Sequence, residues 1–563
     1  MAKFKIGGWK DRRGGAQGTP QVKIDGWNAE LEILTAYYRS GSQEDNPDVV
    51  CVKANAIDES WRQTEYIPAS ELTTKKLQQL FPRLYYHGRG KTDIGGIVRS
   101  QLYQGLDNGT VRKGFLFDEL GSNTLPDRKT VFIRGDEIIG DIDRPYFLTE
   151  DTNRYHLLGE KNSVGNLISL LLTAPVQVLL MLAFTLLASV RSILVDAGIA
   201  LQALMVITGK QGMGKTTLAT RIGGVYQDKI TRRTAGVIQV GGSFSSICES
   251  LFKFRDSLVI LDDLCLSASS MVQRNTLDTA AKVVRTATGN IPWTKKSGNK
   301  TVEIYSQALA VITAEYSFSN MSDLTRCIIN PIKEPLYIAD ALTPNLVGAA
   351  IRHFSKWISD NSDVFTAAMK SASKGEEIKD FDQRICTNYC LLVMVWSKFL
   401  DSLKPLEVAD EVIISLNNKM IDAINVALSE HRTLIDGINN NVKRGNVSYI
   451  ILGLLDAKQL KPGKHYLADK DEREQRYYER NCICLKNGDI GIEPEYLLQL
   501  VHAQPGYRDF TKNKLTSELK DCGALVIQRN GKNSSNQVKL WGGGPWGYRL
   551  RLDELKDSQQ EYT

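Results

Sequence analysis

The sequence is short of the residues that build metal clusters and disulfide frameworks. Its six histidines are dispersed and form no H-E-x-x-H or similar run. Of its nine cysteines only Cys482/Cys484 and Cys386/Cys390 come close together, neither beside a second pair at zinc spacing. This speaks against a zinc finger or a zinc protease and for reduced, buried thiols in a cytoplasmic protein, with His87 and His156 as core or surface residues. Charge of one sign is not in excess, since 70 Lys and Arg stand against 64 Asp and Glu for a net +6. With 42% hydrophobic and 24% charged residues, general disorder is excluded. Residues 1–9, Met-Ala-Lys-Phe-Lys-Ile-Gly-Gly-Trp, lack an apolar stretch, so no secretion signal is expected. Long apolar runs are scarce as well. The one candidate, Leu167 to Val190, is uncharged and long enough to span a bilayer. Pro175 and Gln177 interrupt it, however, and no aromatic belt flanks it. It reads as a buried helix packed on a sheet, and no membrane association is expected.

What the chain does have is a phosphate-binding loop in the right setting. Gly209-Lys-Gln-Gly-Met-Gly-Lys-Thr216 follows the apolar run Leu204–Thr208 and opens into Thr217-Leu-Ala-Thr-Arg-Ile222. In G-x-x-x-x-G-K-T, the glycines Gly209, Gly212 and Gly214 let backbone N–H groups close around phosphates. Lys215 reaches the β/γ oxygens, the Thr216 hydroxyl ligates Mg²⁺, Thr217 continues the contact, and the helix N-terminus adds partial positive charge. ATP and Mg²⁺ are therefore the expected cofactors.

A second half of the site follows. Ser257-Leu-Val-Ile-Leu-Asp-Asp263 is an apolar run of strand length ending in two acids, 47 residues beyond Lys215. Asp262 would hold the metal and Asp263 would polarise the attacking water. A third run, Ala308 to Glu315, ends in Thr313 and Glu315, polar residues able to sense a γ-phosphate. Arg326 follows in Asp323-Leu-Thr-Arg and suits a finger inserted into a neighbouring subunit's ATP.

At 563 residues the chain exceeds one core, and four segments are expected. Residues 1–149 alternate short apolar runs (Val49–Val52, Gly114–Phe117, Thr130–Ile133, Glu137–Ile139) with turn residues such as Asp107-Asn-Gly109, a β-rich domain with a helix near Ser70 to Leu80. Residues 150–340 alternate strand and helix around the glycine loop, which implies an α/β fold with a parallel sheet. Residues 341–457 are helical by apolar period, and 458–563 hold a charge-rich linker, Lys458 to Arg480, and a last domain. There Glu493–His502 and Thr511–Cys522 read as helices and Ala524–Leu540 as a hairpin turning at Asn530-Gly531, together a winged helix.

Two basic regions point to nucleic acid. Gln504 to Arg551 holds nine Lys/Arg against three Asp/Glu. Lys512, Lys514 and Lys520 lie on the second helix and Arg529, Lys532 and Lys539 on the wing, suited to phosphate contacts. Protein-interaction modules share this element order. The second region, Thr288 to Tyr305, reads as a hairpin whose tip, Ser297-Gly-Asn299, is crowded by Lys295, Lys296 and Lys300, able to grip a nucleic-acid backbone.

Together these features resemble the MCM-like AAA+ replicative helicases of mobile genetic elements, such as staphylococcal cassette chromosomes and pathogenicity islands. The resemblance rests on the apolar helix before the glycine loop, the loop itself, Leu261-Asp-Asp263, the lysine hairpin, Thr313-Ala-Glu315, Arg326 and the terminal winged helix. It implies an AAA+ core with a small helical lid, ATP-driven DNA unwinding with 3′-to-5′ movement, a hexameric ring of identical subunits with the arginine finger in trans, and Arg384 as a second sensor. A primase or replication initiator is a further implied partner. Asp263 stands where that family commonly has glutamate and Thr313 where it often has asparagine. An origin initiator or helicase loader that holds DNA without translocating fits the same residues, as does a defence or signalling ATPase with a protein-binding end.

Overall fold

The apolar runs around the glycine loop assemble into one five-stranded sheet. A computed structural model describes the chain except residues 1–20, 23–25, 40–45, 89–91, 161–162, 265–269, 289–291, 298–299, 316, 319, 376–377, 379–380, 445–446, 457–459, 461, 464–478, 486–487, 505–506, 508–509, 531–532, 536–537, 540–545 and 556–563. The strands run in the order Val237–Gln239, Leu258–Leu264, Leu309–Ala314, Leu204–Thr208, Cys327–Pro331, every neighbouring pair parallel. The fold class is α/β. The strand before the glycine loop is flanked by strands on both sides and buried, as the run Leu-Met-Val-Ile requires.

The long apolar run is two helices, Val164–Thr173 and Val176–Ala188, broken at Ala174-Pro175. Val178 to Ala188 is buried on all sides. It packs against the glycine-loop helix Lys215–Gly223 and against helices Gln383–Leu403 and Asp410–Arg444. The two helices pack closely at Gly223, where a Cβ would come 2.9 Å from the Met181 methyl. Each fully buried Leu or Phe of this helix contributes roughly 1.5–3 kcal/mol. Gln177, the polar interruption, donates to the Pro331 carbonyl at the sheet's edge (3.2 Å). Among the described residues no helix is long and apolar enough to cross a membrane.

Toward the N-terminus, strands Ala29–Arg39, Val49–Ala56, Arg62–Pro68, Arg112–Phe117 and Tyr146–Leu148 form a second sheet, joined by the short strand Gln21–Val22. Helix Thr74–Leu80 starts at the Thr73 cap. A second helix, Ile94–Asp107, was not legible, because Gly95, Gly96 and Gly105 dilute its apolar period. Asp107-Asn-Gly109 is a turn, as expected, and it closes that helix, with Gly109 at φ 74°. Gly95 allows the two helices to cross, since a Cβ would lie 2.6 Å from the Thr73 backbone.

Packing connects the segments on either side of residue 149. The small sheet Gly121–Thr124, Thr130–Ile133, Ile138–Ile139 buries Phe132 and Ile139 in the same core as the glycine-loop strand, and Tyr155–Leu157 pairs with Tyr226–Asp228. Buried Arg134 fixes the junction. Its Nη1 donates to the Asp256 carbonyl (2.9 Å) and its Nη2 to the Ser189 carbonyl (2.7 Å) and the Ser355 hydroxyl (3.0 Å). Asp256, fully buried too, accepts the N–H groups of Ser122 and Ser192.

Among the described residues, the segment from Pro344 to Arg444 holds four α-helices, Pro344–Asp360, Ser362–Ser373, Gln383–Leu403 and Asp410–Arg444. Arg384 therefore opens the third of them. Helix Val447–Asp456, assigned on sequence to the end of this segment, packs into a separate C-terminal core with Ile490, Leu497, Leu515 and Tyr548. That core holds helices Pro494–His502 and Lys512–Asp521 and a sheet containing Glu479–Cys484, Ile490–Ile492 and Trp546–Leu550. Of the expected wing, Gln528–Asn530 pairs with Asn533–Ser535, whereas Val538–Lys539 pairs with Trp546–Leu550. Most of the expected linker, including residues 464–478, lies outside the described residues.

Candidate active site

The glycine loop joins the end of strand Leu204–Thr208 to helix Lys215–Gly223. Gly212 and Gly214 take φ 77° and 90°, a region that favours glycine, and a Cβ on Gly209 would come 2.7 Å from the Ile332 carbonyl. Lys215 Nζ donates to the carbonyls of Gly209 (2.7 Å) and Lys210 (2.8 Å), so its ammonium is folded over the loop. Residues 211–217 line a cleft of about 310 Å³ together with Asp263, Leu264, Thr313 and Glu315.

At the carboxyl ends of the strands two threonine hydroxyls share one carboxylate oxygen. Thr216 Oγ1 donates to Asp262 Oδ1 at 2.8 Å, and Thr313 Oγ1 donates to the same oxygen at 2.6 Å. The Asp263 N–H donates in turn to Thr313 Oγ1 at 2.9 Å. Glu315 is held by its N–H on the Leu264 carbonyl. The cradle and the hard oxygens of Thr216 and Asp262 fit a magnesium nucleotide, because Mg²⁺ takes one or two carboxylates with phosphate oxygens and water. Lys215, Asp262, Asp263, Thr313 and Glu315 are thus brought together.

Arg326 and Arg384 are not at this cleft. The Arg326 carbonyl accepts the Leu204 N–H (3.0 Å), which puts Arg326 at the amino end of the strand whose carboxyl end bears the loop. Four residues separate Leu204 from Thr208, about 13 Å of strand. Arg326 Nη1 donates to the Ser322 carbonyl and hydroxyl, and its Nε is buried without a partner. Burial, and then the charges of Arg384 and Arg285, push its pKa below the usual arginine value against the pull of Asp323. Arg285, not singled out on sequence, makes a two-pronged contact with buried Asp323 (Nε–Oδ1 3.0 Å). The only sequence signal for it is the acid three residues before Arg326.

The lysine hairpin forms as an antiparallel pair, Trp293–Ser297 with Lys300–Ile304, in register Lys295↔Val302, Lys296↔Thr301, Ser297↔Lys300. Gly298 and Asn299 of its tip lie outside the described residues, and Lys295, Lys296 and Lys300 are placed by backbone alone. In the C-terminal module Lys514 and Lys520 are exposed, and the Lys514 ammonium lies 4.6 Å from the centre of the Phe510 ring. Lys512 is engaged by Glu495 at 2.7 Å. Arg529 and Lys539 sit on short strands, and Lys532 lies outside the described residues.

No protein-family model and no curated protein matches the sequence. A solved structure of the active SCCmec type IV Cch helicase aligns over 96% of this chain and 99% of its own, at 13% identity and a TM-score of 0.48. Two structures of inhibitor-bound JCV helicase align over 47% and 44% of this chain and 73% and 65% of theirs, at 11% identity and TM-scores of 0.20 and 0.19. At these identities and scores the likenesses assign no activity.

Proposed function

We propose that the chain is an ATP-driven DNA motor of the AAA+ helicase type, replicating a mobile genetic element in the cytoplasm and working as a ring of identical subunits, six in the resemblance drawn above. The observation that carries this reading is the separation of two half-sites. The cradle and its acids stand at the carboxyl ends of the sheet, and Arg326 stands at the amino ends, a strand's length from its own cleft.

In this reading the loop N–H groups and Lys215 bind the phosphates, Thr216 and Asp262 hold the metal, and Asp263 orients the water. A bound Mg²⁺ would neutralise charge on the phosphate oxygens. Arg326 from a neighbouring copy, with Arg384 beside it, stabilises the charge that develops on transfer. The cleft reports nucleotide state along the strand ending in Thr313 and Glu315, which directly follows the lysine hairpin. Lys295, Lys296 and Lys300 grip single-stranded DNA in the ring's channel, and the C-terminal winged helix holds duplex through Lys514, Lys520, Arg529, Lys532 and Lys539.

Strand displacement on forked DNA, with and without ATP, tests the motor. Replacing Lys295, Lys296 and Lys300 together with alanine should leave basal ATP hydrolysis intact and abolish unwinding. The log–log salt slope of single-strand binding should flatten by about 0.7 per lost contact. Unwinding by the triple variant at the wild-type rate would favour a loader that holds DNA without moving along it.

A further inference from the structure

We propose that Thr313 is a positioning residue that sets the two acids, acting on the nucleotide site through Asp262 and Asp263 and not by sensing phosphate. The inference rests on the ATPase reading and deepens it. A hydroxyl has one proton, and that of Thr313 is given to Asp262 Oδ1 at 2.6 Å. One of its lone pairs takes the Asp263 N–H at 2.9 Å. The side chain is 1% exposed. A phosphate oxygen would need that proton and could have it only by breaking the Asp262 bond.

The strand register shows what the hydroxyl achieves. Leu261 pairs with Ile312 and Leu264 with Ala314, so Asp262 and Asp263 together oppose Thr313 alone. In an unbroken strand successive side chains point to opposite faces, and only one of the two acids would face the site. The extra residue makes a bulge, which re-aims side chains. Asp263 takes φ 72° and lines the cleft, while Asp262 stays on Thr216. A left-handed residue other than glycine persists only where its surroundings hold it. Here the Thr313 hydroxyl satisfies the N–H that the bulge frees from the ladder and ties the same turn to Asp262.

Thr313→Val keeps the shape and removes both hydrogen bonds, whereas Thr313→Ser keeps them. In the nucleotide-free protein, deuterium uptake at the Asp263 amide should speed up about tenfold or more in Thr313→Val and stay near wild type in Thr313→Ser. The kcat for ATP should fall roughly a hundredfold in Thr313→Val, with a much smaller change in nucleotide affinity, and return in Thr313→Ser. In an Asp263→Asn background the same valine should lower kcat by no more than about threefold, because residues acting as one unit are not additive. Wild-type amide exchange in Thr313→Val, or an equal loss of kcat with and without the Asp263 carboxylate, overturns the proposal. If Thr313→Val does not fold, Thr313→Ala takes its place in each arm. A wild-type chain without ATP turnover would instead sink the ATPase reading, and the amide exchange would still report on Thr313.

Discussion

At the carboxyl ends of the parallel strands Thr216, Asp262, Thr313 and the Asp263 amide satisfy one another within a single set of hydrogen bonds. At the amino ends Arg326 is crowded by Arg285 and Arg384, answered by one buried aspartate, and left with a buried Nε that has no partner. The first region has the cradle and the hard oxygens that a magnesium nucleotide would need. Among the described residues, the second sets three arginines against the one buried carboxylate of Asp323, and an unsatisfied buried donor is unfavourable by about 1–3 kcal/mol. In the function proposed above, the nucleotide cleft of a second copy would supply the anion that answers this cluster.

Breaking the first region should have the larger effect. Lys215→Ala should abolish ATP turnover while leaving the melting temperature near wild type, because the ammonium contacts only loop carbonyls and packs in no core. A steady-state ATPase assay checks this, and wild-type rates in the variant would remove the cleft from the account. Arg326→Ala comes next. Hydrolysis should fall by about 10³ or more while nucleotide binding by an isolated subunit stays unchanged, the signature of a group that acts only in another subunit's transition state.

The smallest effect concerns stability and lies away from both regions. The Arg154 guanidinium, with the backbone N–H groups of Ile230 and Thr231, holds the Asp228 carboxyl down at about 2. Unfolded, an aspartate titrates near 3.9. A depressed folded value means that the stabilisation is full above about pH 4 and is lost as pH falls through 2. Discounted for the partly exposed Arg154, it is about 1–2 kcal/mol. Asp228→Asn should therefore lower stability to denaturant at pH 6 and converge with wild type near pH 2. A gap independent of pH would show that the ion pair contributes nothing.

The contrast between the two ends was only half legible in the sequence. Phosphate chemistry demands glycines, lysine and threonine at set spacing in one short segment, so the cradle could be read from residues 209–217 alone. The acids followed because an apolar run ending in Asp262-Asp263 is itself local. Thr313 was read as a phosphate sensor, while its hydrogen bonds go to the acids. That depends on a bulge between strands 50 residues apart, which no local pattern encodes. Arg285 escaped notice for the same reason, its partner Asp323 lying 38 residues away. The contacts that cross residue 149 were not legible because a polar residue carries the junction. Arg134 looks like a surface charge until its guanidinium is placed on carbonyls 55 and 122 residues further along the chain. Helix Ile94–Asp107 was hidden by glycines kept for close packing.

The central claim is that each site is completed by a neighbour, and subunit mixing tests it most directly. Lys215→Ala and Arg326→Ala chains are each expected to be inactive alone. Mixed under conditions where exchange is demonstrated with labelled subunits, they form some interfaces that pair an intact cradle with an intact Arg326. ATP hydrolysis should then reappear, rising and falling with the mixing ratio and greatest near equal amounts. Proven exchange with no recovery at any ratio would contradict the claim.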